Sequence, residues 1–232
     1  IFGKTKFKSN ITWQRNSSHN DSKSFGNVSD IILFYGNNIN VDEVRVPLNH
    51  EYVKKFYKYS DEKGQYQADN LSAKGLSGGG YEYDFHGHNG PWRYPEKEMI
   101  KLEKDNRIHF PLKVGGVPRY KRYLSENKGQ VPNNIWTDIS KLQSKNEKTG
   151  YPTQKPLALL DRIIKASSKP GDTVLDPFCG CATTCVSAQR LNRKWIGIDL
   201  SSKAVDLVID RIGNDSGLFT DFVHYDCIAD SR

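Results

Sequence analysis

The chain has 232 residues, with 34 lysines and arginines against 27 aspartates and glutamates, and a formal net charge of +7 at pH 7. This length suits one large domain, or one domain that carries a substantial insertion. The 36% apolar and 26% charged residues exclude a wholly disordered chain, and no apolar run approaches the roughly 20 residues of a membrane helix. Three of the four cysteines fall within Cys179–Cys185, which is not a disulfide framework, so we expect a reducing cytosol.

The amino-acid composition changes within the first two thirds of the chain. Residues 1–36 contain two short apolar or β-branched runs, 10–13 and 31–35, which predict strands. Glycine, tyrosine and lysine dominate residues 37–148, where glycine clusters such as Gly78–Gly80 interrupt any long element. This pattern predicts an irregular, loop-rich insertion at 37–148.

Residues 149–232 alternate between helix and strand signals. The predicted elements are, in order, a helix that begins at Pro156, a strand at 173–175, a helix from 183 to about 191, a strand at 194–198 and a helix that Ser201 caps. A strand–helix–strand–helix order predicts an α/β fold with a parallel, doubly wound sheet.

The loop after the first of these strands carries a candidate ligand site. Asp176 ends the strand, a turn containing Gly180 follows, and a helix begins at once, which at the carboxyl edge of a parallel sheet favours a nucleotide-type ligand. Asp199 ends the next strand about 20 residues later, where an acid can accept hydrogen bonds from ribose hydroxyls. Because only one glycine of G-x-G-x-x-G is present, adenosine joined to an amino acid fits better than a dinucleotide. The alternative is an ordinary turn in which Asp176 caps the helix and Asp199 is a solvated strand end.

Two segments carry a resemblance to a known family. Residues 149–156 (TGYPTQKP) and 176–184 (DPFCGCATT) resemble the amino-group DNA methyltransferases, which modify adenine N6 or cytosine N4. The motif order is similar to that of the β class, in which the catalytic motif and the target-recognition region precede the cofactor loop. Residues 11–15 are similar to the family's W-x-R strand beside the target-base pocket, and the resemblance extends over 18–35 and 135–139.

The resemblance implies a Rossmann-like S-adenosylmethionine-dependent methyltransferase sheet with a target-recognition insertion. Residues 1–36 and 149–232 would form the core, the latter segment binding the cofactor, and residues 37–148 the insertion. The residues implied around S-adenosylmethionine are Thr153, Gln154, Lys155, Asp176, Phe178, Gly180 and Thr183, with Asp199 on the ribose. Trp13 and Arg15 are implied at the target-base pocket. Cys181 and Ala182 stand where the family often has Ser and Gly, and we expect Ala182 to adopt ordinary backbone angles.

One family motif is missing. The catalytic tetrapeptide, an acid, Asn or Ser followed by Pro-Pro and an aromatic residue, occurs nowhere in the chain. In the β-class order it lies before Ile1, so we expect an N-terminally truncated piece of a longer protein that is inactive by itself. We also expect such a piece to leave apolar sheet edges uncovered and to fold poorly in isolation.

The insertion contains candidate DNA contacts. Residues 101–130 hold eight lysines and arginines and three acids, and residues 119–123 alternate cations with aromatics, which suits phosphate contact and stacking. The residues predicted to contact DNA are Trp92, Arg93, Arg119, Lys121 and Arg122. A solvated basic face is the alternative. No metal is predicted, because neither the histidines at 86, 88 and 109 nor the three clustered cysteines have zinc-site spacing.

The leading interpretation is a site-specific DNA methyltransferase that acts on double-stranded DNA in the cytoplasm of a prokaryote or in a phage-like context. One alternative is a non-catalytic DNA-recognition module or a split-enzyme half that binds the cofactor. Another is an RNA or protein methyltransferase. The resemblance also leaves room for a homodimer and for a restriction endonuclease partner, and it implies no membrane association.

Overall fold

A computed structural model describes residues 2–17, 23–37, 39–142 and 144–216. Residues 18–22 of the segment similar to the methyltransferases lie outside this description. The strands are β1 (Phe7–Gln14), β2 (Ser29–Tyr35), β3 (Tyr59–Asp61), β4 (Gly64–Asn70), β5 (Tyr81–Phe85), β6 (His88–Trp92), β7 (Ile108–His109), β8 (Arg119–Tyr123), β9 (Ile135–Trp136), β10 (Thr173–Asp176) and β11 (Lys194–Gly197). The α-helices are α1 (His50–Phe56), α2 (Glu96–Lys104), α3 (Leu157–Ser167), α4 (Thr183–Arg190) and α5 (Ser202–Ser216). None of the helices in the described ranges is long and apolar enough to cross a membrane.

The chain divides into two compact units. Ile1–Arg45 and Val131–Arg232 form one, here called the core unit, and Val46–Gln130 forms the other, here called the insertion unit. The insertion unit is shorter at both ends than the predicted insertion at 37–148. The reason lies in two contacts of the core unit: β9 pairs in parallel with β1, and the backbone N–H of Asn40 donates to the carbonyl of Ala166 at 2.8 Å.

One sheet of the core unit has the order β2-β1-β9. β2 is antiparallel to β1, with Thr12 opposite Ile31, and β9 is parallel to it. One face of this sheet packs against α3 through a cluster that contains Trp13, Trp136, Ile139 and Leu159. Burial of these large side chains, at roughly 25 cal/mol per Å² of apolar area, fixes α3 on the sheet.

The second sheet of the core unit pairs β10 with β11 in parallel, and α4 connects the two strands. The buried cluster around α4 and α5 contains Cys179, Ala182, Cys185, Val186, Val208 and Ile212. The predicted α/β class and the predicted strand–helix–strand–helix order are confirmed. The last helix runs three residues beyond Gly213, where its apolar pattern ends, because a helix can continue past its buried face.

The insertion unit is more regular than its glycine content suggests. β3, β4, β8 and β7 form an antiparallel sheet, and β5 and β6 form a hairpin. The unit has its own buried cluster of Leu71, Phe85, Trp92, Met99 and Ile108. Its strands escaped prediction because their inward positions hold tyrosines and a lysine, so apolar and polar residues do not alternate.

Candidate functional site

A cavity of about 590 Å³ in the core unit brings together two sets of residues that lie far apart in the sequence. Trp13 and Arg15 come from β1 and the residue after it, and Thr153, Gln154 and Lys155 precede α3. The cavity is also lined by Asn16, Asp30, Lys141, Lys148 and Tyr151. The residues implied at the target-base pocket and the first three implied at the cofactor therefore share one cavity.

Asp30 organises the charge of this cavity. Arg15 Nε lies 3.1 Å from Asp30 Oδ1, and Lys155 Nζ lies 3.8 Å from Oδ2 of the same carboxylate. Lys141 and Lys148 add two further cations to the lining, so the cavity carries a positive excess. Such a cavity suits an anionic or phosphate-bearing ligand.

Trp13 shapes the cavity from within the core. Its side chain is 2% exposed and packs in the cluster under α3. The indole N–H donates to the carbonyl of Ile139 at 2.8 Å, which satisfies its one polar group. Trp13 is thus a supporting residue, and Arg15 provides the charged surface.

Gln154 is occupied by its own loop. Its Nε2 donates to the carbonyl of Glu147 at 2.7 Å, and its Oε1 accepts from the backbone N–H and the hydroxyl of Thr149, both at 2.8 Å. These three bonds close the loop that precedes α3. The neighbouring side chains Thr153 and Lys155 are exposed and remain available for a ligand.

The two acids at the strand ends are both held by hydrogen bonds. Asp176 Oδ2 accepts from the hydroxyl of Thr184 at 2.6 Å, and its Oδ1 accepts from the N–H of Phe178 at 3.1 Å. Asp199 accepts at 2.9 Å from the N–H groups of Gly180 and Ser201, one on each oxygen. Among the described residues no side chain caps the N-terminus of α4, so Asp176 does not take the capping role, and each carboxylate oxygen keeps a second lone pair for a ligand.

The turn between β10 and α4 has a left-handed backbone at two positions. Gly180 has φ of 51° and Ala182 has φ of 61° and ψ of 22°. The expectation of ordinary angles at Ala182 is wrong, because the chain has to reverse within this turn before α4 begins. The Ala182 carbonyl accepts from the N–H of Val186 at 2.9 Å, the first bond of the helix.

Thr183 and Phe178 lie in opposite environments. The Thr183 side chain is buried and its hydroxyl accepts a 3.1 Å hydrogen bond from Arg211 of α5, whose guanidinium also donates to the carbonyl of Cys181. The Thr183 hydroxyl therefore accepts from the protein and keeps its own O–H to donate, so its implied place against the cofactor stays a prediction. Phe178 is 87% exposed, so its ring is free for a ligand.

Tyr151 connects the cavity with this turn. A Cβ atom on Gly180 would lie 3.1 Å from Cε1 of Tyr151, so the tyrosine ring lies directly against the glycine. Tyr151 belongs to the segment 149–156 but has no predicted role of its own, and no sequence pattern marks Asn16. Asn16 Oδ1 is buried without a hydrogen-bond partner among the described residues, and this burial arises only on folding.

The cysteines of the turn are packing residues. Cys179, Cys181 and Cys185 are buried free thiols, and burial raises the pKa of Cys185 to about 12. A Cβ on Gly197 would lie 2.8 Å from Cys185 Sγ, which shows how closely β11 packs on α4. In the described part of the chain, no group of three or more His, Cys, Asp or Glu side chains could hold a metal ion.

Two of the predicted DNA contacts are corrected by burial in the insertion unit. Trp92 is 2% exposed in the core cluster, and its indole N–H donates to the carbonyl of Tyr83 at 3.1 Å. Lys121 is 7% exposed, with Nζ at 2.8 Å from Asp61 Oδ2 and 2.9 Å from Asn106 Oδ1. Neither side chain can reach a DNA molecule without leaving the core.

The three predicted arginines are exposed. Arg122 is paired with Asp69 at 2.5 Å, and Arg93 Nε donates to the carbonyl of Ser72 at 3.0 Å. Arg119 forms no ion pair within the described ranges. These three remain candidates for phosphate contact.

Comparison with known proteins identifies the family. Residues 1–210 match the family model of the N6/N4 methyltransferases, described as DNA methylase, and the chain belongs to this family. The resemblance seen in the sequence is thus confirmed.

The curated relatives include restriction–modification proteins. The type II methyltransferase M.EcaI of Enterobacter cloacae is 34% identical over 97% of this chain and 51% of its own length. The StyLTI Mod subunit, from a type III restriction-modification enzyme of Salmonella typhimurium, is 35% identical over 84% of this chain and 32% of its own length. The chain spans about half or less of the length of these relatives. Among solved structures, the M1.HpyAVI–SAM complex is similar, with 29% identity over 41% of this chain and 47% of that one and a TM-score of 0.32.

Proposed function

We propose that this chain carries the cofactor-binding and DNA-recognition part of an S-adenosylmethionine-dependent DNA methyltransferase that acts on adenine N6 or cytosine N4. The observation that carries the proposal is the shared cavity of the core unit. The chain belongs to the DNA methylase family, and in this cavity Arg15 lies near Thr153 and Lys155. Tyr151 lines the same cavity and contacts the glycine turn after β10.

The residues of the turn fit this cofactor. Asp199 is fixed by two backbone N–H groups, and its remaining lone pairs suit ribose hydroxyls. Gly180 has no side chain to obstruct the approach to the backbone, and the exposed Phe178 ring can stack on a purine. S-adenosylmethionine, when bound, supplies an electrophilic methyl group on a sulfonium, and the carboxylate of Asp176 suits the positive charges of such a ligand.

The cavity has the properties that a target nucleotide requires. A base inside a duplex is reached only after it leaves the stack, and the extruded nucleotide brings its phosphates with it. Arg15, Lys148 and Lys155 line the cavity with positive charge for those phosphates. Its volume of about 590 Å³ lies within the range of roughly 300–1,000 Å³ that is usual for small-ligand sites.

In the family that the chain resembles, the catalytic tetrapeptide activates the amine. This tetrapeptide, an acid, Asn or Ser followed by Pro-Pro and an aromatic residue, does not occur in this chain. Turnover therefore requires that this segment be supplied together with the chain. Holding the amine and the methyl group in line at a short distance accounts for much of the rate enhancement in such a transfer. The contribution of the chain is to hold the donor and the extruded base.

Double-stranded DNA is the partner that this function requires. A homodimer, a restriction endonuclease partner and a cytoplasmic location in a prokaryote belong to the same proposal, in line with the StyLTI Mod subunit, which is named as part of a restriction-modification enzyme. Methyl transfer from radiolabelled S-adenosylmethionine, measured with the native protein from its source, separates the alternatives. We expect label in duplex DNA, whereas label in RNA or protein would contradict the proposal.

Calorimetric titration of the 232-residue chain with S-adenosylmethionine tests the site directly. We expect Asp199→Asn to weaken binding at least about tenfold, because one good charged hydrogen bond to a ligand contributes roughly 1.5–3 kcal/mol. Asp172→Asn is the matched control, since Asp172 also accepts a backbone N–H, from Lys169 at 2.8 Å, but precedes β10 at its other end. Unchanged affinity in Asp199→Asn would place the cofactor elsewhere, and no binding by the wild-type chain would contradict the proposed function.

A further inference from the structure

The loop between β7 and β8 exposes apolar side chains that no part of the insertion unit covers. In this segment, residues 110–118, here called the apolar loop, Leu112 is 105% exposed and Val114 is 98% exposed, with Lys113 between them. A single exposed leucine requires no explanation, but two fully exposed apolar side chains at one loop tip form an interaction patch.

The apolar loop is anchored at its base. The ring of Phe110 stacks over Phe85, with centroids 6.5 Å apart, and meets His86 edge-on at 5.0 Å. At the other end, Pro118 is fully buried at the start of β8. The loop is therefore attached to the folded unit on both sides of its tip.

The tip itself has a defined conformation. The N–H of Gly116 donates to the carbonyl of Lys113 at 2.9 Å, and a Cβ on Gly116 would lie 2.7 Å from Cβ of Pro111. The hydrogen bond holds the tip in this conformation, and the absence of a side chain at Gly116 lets the backbone approach Pro111 closely. Leu112 and Val114 point away from the unit on a preorganised loop, which lowers the entropic cost of inserting them into a partner.

The sequence on either side of the apolar loop carries only positively charged residues. Residues 106–125 contain five lysines and arginines and no acid. Arg107, Lys121 and Arg122 are paired with acids from other segments, whereas Lys113 at the tip and Arg119 at the start of β8 form no ion pair in the described ranges. Unpaired cations around an apolar tip match a partner with an anionic exterior and an apolar, stacked interior, and DNA has this combination.

We propose that the apolar loop inserts Leu112 and Val114 between base steps of the DNA, where they fill the space left by the extruded target base. Apolar side chains such as leucine act as wedges of this kind in other DNA-binding proteins, and Lys113 and Arg119 would contact the flanking phosphates. Extrusion costs stacking and pairing energy, which the wedge offsets by replacing the lost stacking. The inference rests on the proposed function, because a methyltransferase that acts on an exocyclic amine has to extrude its base.

The test uses a short DNA duplex that carries a tetrahydrofuran abasic position opposite 2-aminopurine, and the same duplex without the abasic position. The abasic gap imitates the space behind an extruded base at a known position. We expect the wild-type 232-residue chain to bind the abasic duplex roughly tenfold more tightly than the intact one, since it buries two aliphatic side chains, and to change the 2-aminopurine fluorescence. The double variant Leu112→Ser/Val114→Ser should lose this preference while its affinity for the intact duplex stays within about twofold.

Leu76→Ser is the control, because Leu76 is a half-exposed leucine in another loop of the same unit. It should keep the preference for the abasic duplex. Preference retained by the double variant, or absent from the wild-type chain, overturns the proposal. Loss of a dimer, or of binding to anionic lipid vesicles, with an unchanged abasic preference would assign the loop to a second copy or a membrane instead. Failure to bind either duplex would contradict the proposed function itself.

Discussion

Gly180 lies where three constraints meet: a left-handed backbone, the Tyr151 ring and a hydrogen bond to Asp199. Its φ is 51°, and its N–H donates to Asp199 Oδ2 at 2.9 Å. Gly180→Ala should destabilise the chain by about 1–2 kcal/mol through the backbone alone, and the added Cβ would also press on Tyr151 at 3.1 Å. We therefore expect weaker binding of S-adenosylmethionine together with a lower unfolding midpoint.

Gly171→Ala separates the cost of the left-handed backbone from the effect of the contact with Tyr151. Gly171 has φ of 90°, and a Cβ there would meet nothing within 4 Å. It should show the backbone cost and leave the affinity for S-adenosylmethionine unchanged, as measured by thermal unfolding and calorimetric titration. Equal losses of affinity in both variants would contradict a role for the contact between Gly180 and Tyr151.

Ala182 shows how a strained backbone and a buried methyl group can balance. Ala182→Gly would remove a left-handed alanine, a gain of about 1 kcal/mol, but would lose a buried methyl worth about 0.8 kcal/mol and add entropy to the unfolded chain. We expect a change in unfolding free energy of less than about 1 kcal/mol. Ala188→Gly, at an equally buried site inside α4, has no strain to relieve and should cost about 2 kcal/mol. Urea unfolding of both variants checks this order, and a larger loss in Ala182→Gly would contradict it.

Sequence patterns predict candidate site residues but not what their side chains contact. The spacing of Asp176 and Asp199 predicted acids at adjacent strand ends, and β10 and β11 place them there. The bonds of Arg211 to Thr183 and of Trp13 to Ile139 join residues 28 and 126 positions apart, which folding brings together. No local pattern encodes them, because a side chain's partner is set by tertiary packing.

At the scale of elements, Lys121 stabilises the sheet of the insertion unit from inside. Its Nζ bonds to Asp61 and Asn106, and the hydroxyl of Tyr123 donates to the same Asp61 oxygen at 2.8 Å. Lys121→Ala should cost about 2–3 kcal/mol of unfolding free energy, less than for a fully buried pair, because 20% of the Asp61 side chain is exposed. Lys128→Ala, at an exposed position, should change it by less than about 0.5 kcal/mol in the same urea titration.

The ion pair of Lys121 and Asp61 also makes the unfolding free energy depend on pH in the acid range. The hydrogen bond from Lys121 holds the pKa of Asp61 below its usual value of 3.8 in the folded chain. Because the unfolded chain binds the proton first, the contribution of the pair is complete above the unfolded pKa and is lost as the pH falls through the folded one. We expect the unfolding free energy of the wild-type chain to fall below about pH 4 and that of Lys121→Ala to fall less steeply. If the unfolding free energies of the two proteins fell equally steeply below pH 4, the Lys121–Asp61 pair would not be the cause of the acid dependence.

The elements differ in how well their sequences predict them. α3 and α5 bury aliphatic faces, β10 and β11 contain short apolar runs, and the glycine turn before Thr183 marks the start of α4, so periodicity and turn residues are enough to locate these elements. In the insertion unit, β4 and β8 face each other through Tyr66 and Tyr123, and Lys121 lies opposite Ala68. Strands whose inner face is aromatic and charged do not show an apolar alternation, and their pairing partners lie about 50 residues apart.

The described part of the core unit leaves apolar sheet faces open to solvent. Val174 and Trp195 are half-buried, whereas the alternate positions of the same sheet and the outer face of β2 are exposed. The exposed residues are Ile31, Leu33, Leu175, Ile196 and Ile198. A second, mainly apolar cavity of about 670 Å³ lies beside α3 and is lined in part by Ile11, Phe34, Val44 and Ile163. Surface of this kind binds hydrophobic dyes and promotes association.

The folded 232-residue chain should therefore bind the dye ANS and associate as its concentration rises. In Ile196→Thr/Ile198→Thr, dye fluorescence should fall while the unfolding free energy changes by less than about 0.5 kcal/mol per site, because both side chains are already exposed and threonine keeps the strand preference. Val208→Thr is the control at a buried site, since Val208 lies in the cluster around α4 and α5. It should cost about 1–3 kcal/mol and raise dye binding, because a hydroxyl without a partner enters the core. Unchanged fluorescence in the double variant would show that the dye binds elsewhere, and a large loss of stability there would show that this face is covered in solution.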